Sequence, residues 1–346
     1  MNAIIKEDID KILTGGLDFS PLKGKTVLVT GAYGMLASYL VYTFAELNER
    51  DPFFDLTIEA QGRSPEKMTD RFEDYEGKGW FRPVYDDIAT LDAGMADFII
   101  HAASPTDPRT YLTYPSAVIH ANVTATEHLL EEAREGVAQA FLFVSSGEVY
   151  GRLEKDLIEE EDGGHVTTSD PRNVYALSKL LGERLCRDTA EKDGLRACIV
   201  RPSHTYGPTM NLEGDGRVFA DFTRSAVRGE DIVMTSDGLA TRAFTYLSDA
   251  AEGYLRVLLG GEAGQAYNVT NNEGIRSIRE IAEILRENAP QKIKTVFGEP
   301  DPTYRENANR RASVRSTKKL ETLGWQARIS PEEGFARTLS AFLLSS

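Results

Sequence analysis

The chain has 346 residues, 41% of them apolar and 27% charged, and a net charge of −15. That is the composition of a globular protein with room for one large or two modest domains, and so acidic a surface disfavours nucleic acid and anionic membrane as partners. Two cysteines, Cys186 and Cys198, give neither a disulfide framework nor a metal cluster, and no apolar run approaches the roughly 20 residues of a membrane span. A reducing cytoplasm is the expected compartment. The charged, amphipathic Met1–Asp10 does not read as a signal peptide.

Residues 4–13 carry Ile4, Ile5, Ile9, Ile12 and Leu13 at helical spacing, stopped by Gly15-Gly16. This is a short helix, either packed on the domain surface or an expendable extension. Lys25–Thr30 reads as a buried strand, followed by Gly31-Ala-Tyr33-Gly34-Met35-Leu36-Ala37 and a helix over Ser38–Asn48. Strand, glycine turn and helix together point to a dinucleotide site, with backbone close to a pyrophosphate and the helix N-terminus attracting its charge. Leu56–Ala60 reads as the second strand. Where an acid for the ribose hydroxyls is usual, Gln61-Gly-Arg63-Ser64 follows. Arg63 could contact an adenine face or a 2′-phosphate, or simply be solvated, so NAD is expected with NADP left open. Asp87 and Ile88 follow a further short strand, where a carboxylate could meet the adenine amine.

Ala96–Ser104 is a fourth strand running into the small residues Ala102, Ala103 and Ser104, which allow either close approach of a cofactor or tight packing. Pro115–Glu135 reads as one helix carrying Asn122. Ala140–Gly151 is a fifth strand with a polar end containing Ser145, Ser146 and Glu148. Ligands in open α/β sheets bind at the carboxyl ends of strands, which places these residues well. The next helix, Arg172 to Lys192, holds Tyr175 and Lys179 four apart, on one face. A phenol beside an ammonium loses its proton more readily, making Tyr175 a candidate base for a sugar hydroxyl. Leu195–Arg201 is a sixth strand, broken by Pro202. The strand–helix rhythm means a parallel sheet with right-handed crossovers.

Beyond Tyr206-Gly-Pro208 the rhythm loosens. Gly214–Gly216 reads as flexible, 218–228 as a helix, Ile232–Met234 and Phe244–Leu247 as short strands, and Asp249–Leu259 as a helix. Ala266–Val269 reads as a strand, Ser277–Glu287 as a serine-capped amphipathic helix, and 290–312 as irregular. A short helix ending at Gly324 and another over Pro331–Leu344 close the chain. Arg217, Arg242, Arg310 and Arg311 could gather on a diphosphate, or each could make a surface salt link.

Together these residues resemble the extended short-chain dehydrogenase/reductase family that modifies nucleotide sugars. The glycine turn, Ser146, the Tyr175/Lys179 pair and the closing Leu323-Gly324-Trp325 carry the likeness. Several motifs are similar to the UDP-glucuronate decarboxylase branch: His101-Ala-Ala-Ser-Pro105 with Tyr111 and Tyr114-Pro115, Pro171-Arg172, Thr205–Met210, Asp215–Val218, and Thr241–Tyr246 with Ser248-Asp249. The resemblance implies a Rossmann-like, doubly wound α/β fold. Residues 1–203, with a return of about 236–262, would bind NAD, and a smaller α/β domain, mainly 204–346, would bind the nucleotide-diphosphate sugar. The cofactor would meet Gly31, Tyr33, Gly34, Met35, Leu36, Arg63, Asp87, Ile88, Ala102–Ser104, Asn122, Ser145, Tyr175, Lys179 and Pro202. The substrate would meet Tyr111, Arg172, His204, Arg217, Arg242 and Arg311. No metal is implied, and a homodimer through the Pro115–Glu135 and Arg172–Lys192 helices is.

In the implied chemistry Tyr175, helped by Lys179 and Ser146, takes the proton of the sugar's 4-hydroxyl while hydride passes to NAD⁺. The 4-ketone then acidifies C5 or labilises a C5 carboxylate, and Glu148 acts there. Decarboxylation of UDP-glucuronate to UDP-xylose or its 4-keto intermediate, in polysaccharide biosynthesis, is the leading expectation. A 4,6-dehydratase, a 4-epimerase, a 4-keto-sugar reductase or a non-catalytic NAD-binding regulator are the alternatives. The chain departs from the decarboxylases in having Ser146-Gly147-Glu148 for Thr-Ser-Glu, and from the family in having His204 for an asparagine.

Overall fold

The computed structural model describes residues 1–153, 155–213, 215–298 and 312–344. Gly214, Arg310 and Arg311, singled out above, lie outside the described residues.

The strands are β1 (Thr26–Thr30), β2 (Thr57–Gln61), β3 (Phe81–Val84), β4 (Phe98–His101), β5 (Ala140–Val144), β6 (Leu157–Ile158), β7 (Ala197–Pro202), β8 (His204–Tyr206), β9 (Ile232–Met234), β10 (Thr241–Tyr246), β11 (Ala266–Val269), β12 (Ile275–Ser277), β13 (Thr295–Phe297) and β14 (Val314–Arg315). The helices are α1 (Ala3–Thr14), α2 (Met35–Arg50), α3 (Pro65–Phe72), α4 (Pro108–Thr113), α5 (Pro115–Ile119), α6 (Ala125–Glu135), α7 (Val174–Asp193), α8 (Val218–Arg228), α9 (Leu247–Gly260), α10 (Ile278–Asn288), α11 (Lys318–Thr322) and α12 (Pro331–Leu344).

Seven strands form a parallel sheet in the order β11-β7-β5-β4-β1-β2-β3. Its inner strands are buried on both faces, which is why Phe98-Ile-Ile and Ala197-Cys-Ile-Val read as unbroken apolar runs. Alternate side chains serve opposite faces. Val27, Val29 and Leu142 pack with α1, α2 and α9, whereas Leu28, Ile99, Phe141 and Phe143 pack with α6 and α7. The chain steps outward from β1 to β2 and β3, then crosses back to β4 beside β1. This is the Rossmann strand order, with its crevice at the carboxyl ends of β1 and β4.

A second core surrounds the three-stranded sheet β12-β10-β8, where Tyr206 stacks on Phe335 with ring centroids 3.9 Å apart. The chain returns to the large sheet through α9 and then β11, reaching Val269. The helix α10 carries the full capping box, Ser277 with Glu280.

Several readings change. The stretch 290–312, read as irregular, holds β13, and the short strands β6, β8, β12 and β14 and the helix α4 were not anticipated either. The glycine turn is shorter than expected, since α2 begins at Met35. The helix α3 was not anticipated, although Ser64 caps it and Pro65 opens it. The expected single helix over 115–135 is interrupted by a π segment at His120–Thr124. There Asn122 is fully buried and donates to Ser178 Oγ at 3.0 Å. Finally, α1 is built into the fold. Ile5, Ile9 and Ile12 are buried, and the Asp8 carboxylate accepts from Tyr39 of α2 (2.9 Å), Tyr246 of β10 (2.7 Å) and Arg337 of α12 (2.8 Å).

Candidate active site

Parallel strands deliver their carboxyl ends to one edge, so the segments after β1, β3, β4, β5 and β7 gather there. Gly31 has φ +65°, and a Cβ on it would lie 2.9 Å from Ala103 Cα. A Cβ on Gly34 would lie 2.9 Å from the Gly31 carbonyl. No side chain caps the α2 N-terminus at Gly34, so its first N–H groups stay available to an anion. This cradle fits a dinucleotide pyrophosphate. The residues around it are Gly31, Gly34, Met35 and Leu36, with Tyr33 lying over Gly62.

The loop after β4 is held from beneath. His101 Nε2 donates to the Ala121 carbonyl (2.9 Å), so Nδ1 must accept from the Thr30 hydroxyl (2.8 Å). The Thr30 oxygen in turn accepts from the N–H groups of Ala102 (3.2 Å) and Ala103 (3.1 Å). Burial first, and the Lys179 charge second, push His101 down to about 3, so it is a neutral structural hinge. Ala103 and Ile88 share a small apolar patch with Ala121 and Ala125. Ser104 Oγ donates to the Pro105 carbonyl at 3.3 Å.

Gln61 occupies the place of the absent acid. Its Oε1 accepts from Gly31 N–H (3.2 Å) and its Nε2 donates to the Asp86 carbonyl (2.9 Å). Asp87 accepts from Ala89 N–H and His120, which with Arg63 hold its carboxyl below the usual range.

Ser146, Glu148, Tyr175 and Lys179 come together at the end of β5. Ser146 Oγ accepts from Glu148 N–H (3.1 Å), and its hydroxyl faces the Tyr175 phenol and favours its ionised form. Lys179 is 1% exposed, donates to the Val144 carbonyl (2.7 Å) and lies 5.8 Å from the Tyr175 ring centre. The expected easing of the phenol's proton does not follow from the chain itself. Burial pushes Tyr175 up to about 12, with Glu148 adding to it and Ser146 and Arg217 opposing. Burial also brings Lys179 down to about 7, against the pull of Glu183. Tyr111 stacks on Tyr175 at 4.8 Å between centroids, 8° from parallel.

Several expected contacts are spoken for. The Ser145 hydroxyl donates to Glu183 (2.5 Å), and the Asn122 amide serves Ser178, whose hydroxyl donates to the Tyr175 carbonyl (2.8 Å). Both residues brace α7. Arg172 is paired with Asp170 (2.9 Å), Arg242 donates to the Thr241 carbonyl (2.7 Å), and Pro202 ends β7 opposite Val269. Arg217 donates from Nε and Nη2 to Asp215 and from Nη1 to the Thr205 carbonyl (3.1 Å), and its charge acts on Tyr175. His204 lies among Phe219 and Phe244. Arg311 lies outside the described residues.

The structure explains the Gly147 departure. Any Cβ there would overlap the Arg315 guanidinium, which lies under the Gly147–Tyr150 turn and donates to the Gly147 carbonyl at 3.4 Å. Sequence reasoning missed Thr30, Gln61, Glu183, Arg201 and Arg315. Two left a signal: Gln61, at the end of β2 where an acid is usual, and Glu183, four residues after Lys179 on the same helical stripe.

Residues 27–270 match the NAD dependent epimerase/dehydratase family. A UDP-glucuronic acid decarboxylase 5 of Arabidopsis thaliana is 31% identical over 310 residues, covering 89% of this chain and 86% of that protein. A UDP-glucuronic acid decarboxylase 1 of Xenopus tropicalis is 29% identical, covering 92% and 72%. Among solved structures, the UDP-glucose 4-epimerase of Thermotoga maritima superposes with a TM-score of 0.78 at 20% identity, covering 92% of this chain and 98% of that one. A UDP-glucuronic acid 4-epimerase from Bacillus cereus, in complex with UDP-glucuronic acid and NAD, gives 0.76 at the same identity and coverage. The cradle, the sheet order and these likenesses agree, and the chain belongs to the NAD dependent epimerase/dehydratase family.

Proposed function

We propose that the chain decarboxylates UDP-glucuronate, giving UDP-xylose or its 4-keto intermediate. The observation that carries this reading is the convergence of Ser146, Glu148, Tyr175 and Lys179 on one strand end. It is supported by 31% identity to a UDP-glucuronic acid decarboxylase over 89% of the chain. Tyr175 takes the proton from the sugar's 4-hydroxyl, with Ser146 sharing the hydrogen bond. NAD⁺, held over the turn of Gly31, Gly34, Met35 and Leu36, would supply the hydride acceptor for C4 and, where UDP-xylose is the product, the donor that reduces the ketone again. A ketone at C4 makes the C5 carboxylate that of a β-keto acid, which loses CO₂ readily, and Glu148 handles the proton at C5. Ionising a phenol held at about 12 costs about 5 kcal/mol at pH 8. Positive charge brought by the occupied crevice, with Arg217, must therefore lower it during turnover.

Residues 204–346 form most of the sugar-nucleotide side in this reading, with Tyr111, His204, Arg217 and Arg242 as contacts. A homodimer across α5, α6 and α7 is supported by the exposure of Leu112, Tyr114, Ile119 and Leu181 on and beside these helices. A cytoplasmic place in polysaccharide biosynthesis is consistent with the chemistry. No helix among the described residues is long and apolar enough to cross a membrane.

Incubation with UDP-glucuronate, following CO₂ and the sugar protons by NMR, tests the reading. Release of CO₂ with loss of the C5 carboxylate is expected. A retained carboxylate with inversion at C4 would make the protein an epimerase, the second reading, which the fold likeness to two 4-epimerases favours.

A further inference from the structure

Tyr175, Lys179 and Glu183 fall at i, i+4 and i+8 on α7, one stripe along the helix. Three consecutive residues at the end of β5 meet that stripe one for one. The Val144 carbonyl accepts from Lys179 (2.7 Å), the Ser145 hydroxyl donates to Glu183 (2.5 Å), and the Ser146 hydroxyl faces the Tyr175 phenol and favours its ionised form. Glu183 is 3% exposed and bound at both oxygens by one edge of Arg201, Nε at 2.8 Å and Nη2 at 2.5 Å, with Arg187 4.0 Å away. Arg201 continues to the Tyr150 hydroxyl (3.0 Å) and the Glu160 carbonyl (2.7 Å), and so reaches the turn that carries Glu148.

We propose that Glu183 is a positioning residue for the Tyr175–Lys179 pair: locked by Arg201, its carboxylate clamps the end of β5 to α7 and keeps the Lys179 ammonium charged. The inference rests on Tyr175 being the base of the reaction proposed above. A buried ion pair that stabilised the fold alone could be replaced by apolar side chains with little loss. This one is threaded between two groups that the chemistry needs. The groups acting on Lys179 are Glu183, Cys186 and Tyr175 from α7, the Phe143 ring at 4.7 Å and the Val144 carbonyl from β5, and neutral His101 from β4. Of these, Glu183 brings the negative charge. Without it burial is opposed less, Arg201 loses its counter-charge, and the ammonium gives up its proton at lower pH.

The test is Glu183→Gln in the full-length, NAD-loaded protein. Lys179 is followed by NMR of lysine labelled at the ε-carbon and assigned by Lys179→Arg. Its titration should fall by about one pH unit, and the alkaline limb of kcat/KM with UDP-glucuronate should fall with it. Ser145→Ala removes the clamp but not the charge. It should lower kcat and leave the Lys179 titration in place. A folded Glu183→Gln with an unmoved Lys179 titration overturns the proposal, as does a Ser145→Ala shift equal to that of Glu183→Gln. Should Glu183→Gln fail to fold, Glu183→Gln/Arg201→Met removes both buried charges, and the same titration decides. If the unmodified enzyme leaves UDP-glucuronate untouched, the decarboxylase reading fails while the NMR titration still judges Glu183.

Discussion

Replacing Asp8 by alanine should unfold the protein well below the parent's melting temperature. The carboxylate is wholly buried and ties α1 to three elements through Tyr39, Tyr246 and Arg337. Truncation strands two buried hydroxyls and leaves the Arg337 guanidinium, 15% exposed, with only the half-exposed Glu7 as a carboxylate partner among the described residues. Breaking a buried charged pair costs about 3–5 kcal/mol, and each orphaned hydroxyl about 1 kcal/mol or more. Against this stands the cost of burying Asp8 itself, which lifts its carboxyl above the usual value and is recovered on removal. The net is about 4 kcal/mol. At about 2 cal/mol/K per residue, unfolding a chain of this size carries about 0.7 kcal/mol/K, so the midpoint should drop by about 6 °C. Asp8→Asn keeps an acceptor for the tyrosines and should lose about half as much. Differential scanning calorimetry of the full chain measures both. A midpoint for Asp8→Ala within 1 °C of the parent would show that α1 is an appendage and refute the reasoning.

Tyr175→Phe removes the base without disturbing the core, and kcat should fall by about 10²–10⁴-fold while the fold, read by circular dichroism, holds; intact turnover would move the base elsewhere. Gly147→Ser pushes the Arg315 guanidinium, the end of a flexible side chain, off the Gly147 carbonyl and should cost about 1 kcal/mol, the low end of overpacking, with Arg315→Ala removing that cost in the double variant; purely additive effects would deny the contact. Asp249 titrates near 6 in the folded chain, chiefly through burial, against 3.8 unfolded. Its contribution to stability is thus complete below about pH 4 and lost as pH rises through 6, a swing of about 3 kcal/mol. Asn at this position still accepts from Arg328 and Ile329 N–H, both 2.9 Å from one oxygen. Urea midpoints of Asp249→Asn should therefore gain on the parent between pH 4 and pH 7, and a constant gap would refute the shift.

The sequence by itself determined the sheet and its edge. Unbroken apolar strands alternating with helices admit a parallel, doubly wound arrangement, and parallel strands must bring their carboxyl ends together. Hence Gly31, Ala102, Ser146 and Tyr175 could be assigned to one crevice from spacing and motif before any coordinate was known. Local signals also fixed the Ser277 cap and the span of α8, because caps and helical periodicity act within a turn or two. What the tertiary structure alone decided is how charges share buried space. Nothing near Gly147 in sequence announces Arg315, 168 residues away, and nothing near Asp8 announces Arg337. The ionisation of Tyr175 and Lys179 was misread for the same reason. Their spacing states that they are neighbours, but the field each feels is set by water excluded by other elements, and desolvation outweighs a single nearby charge.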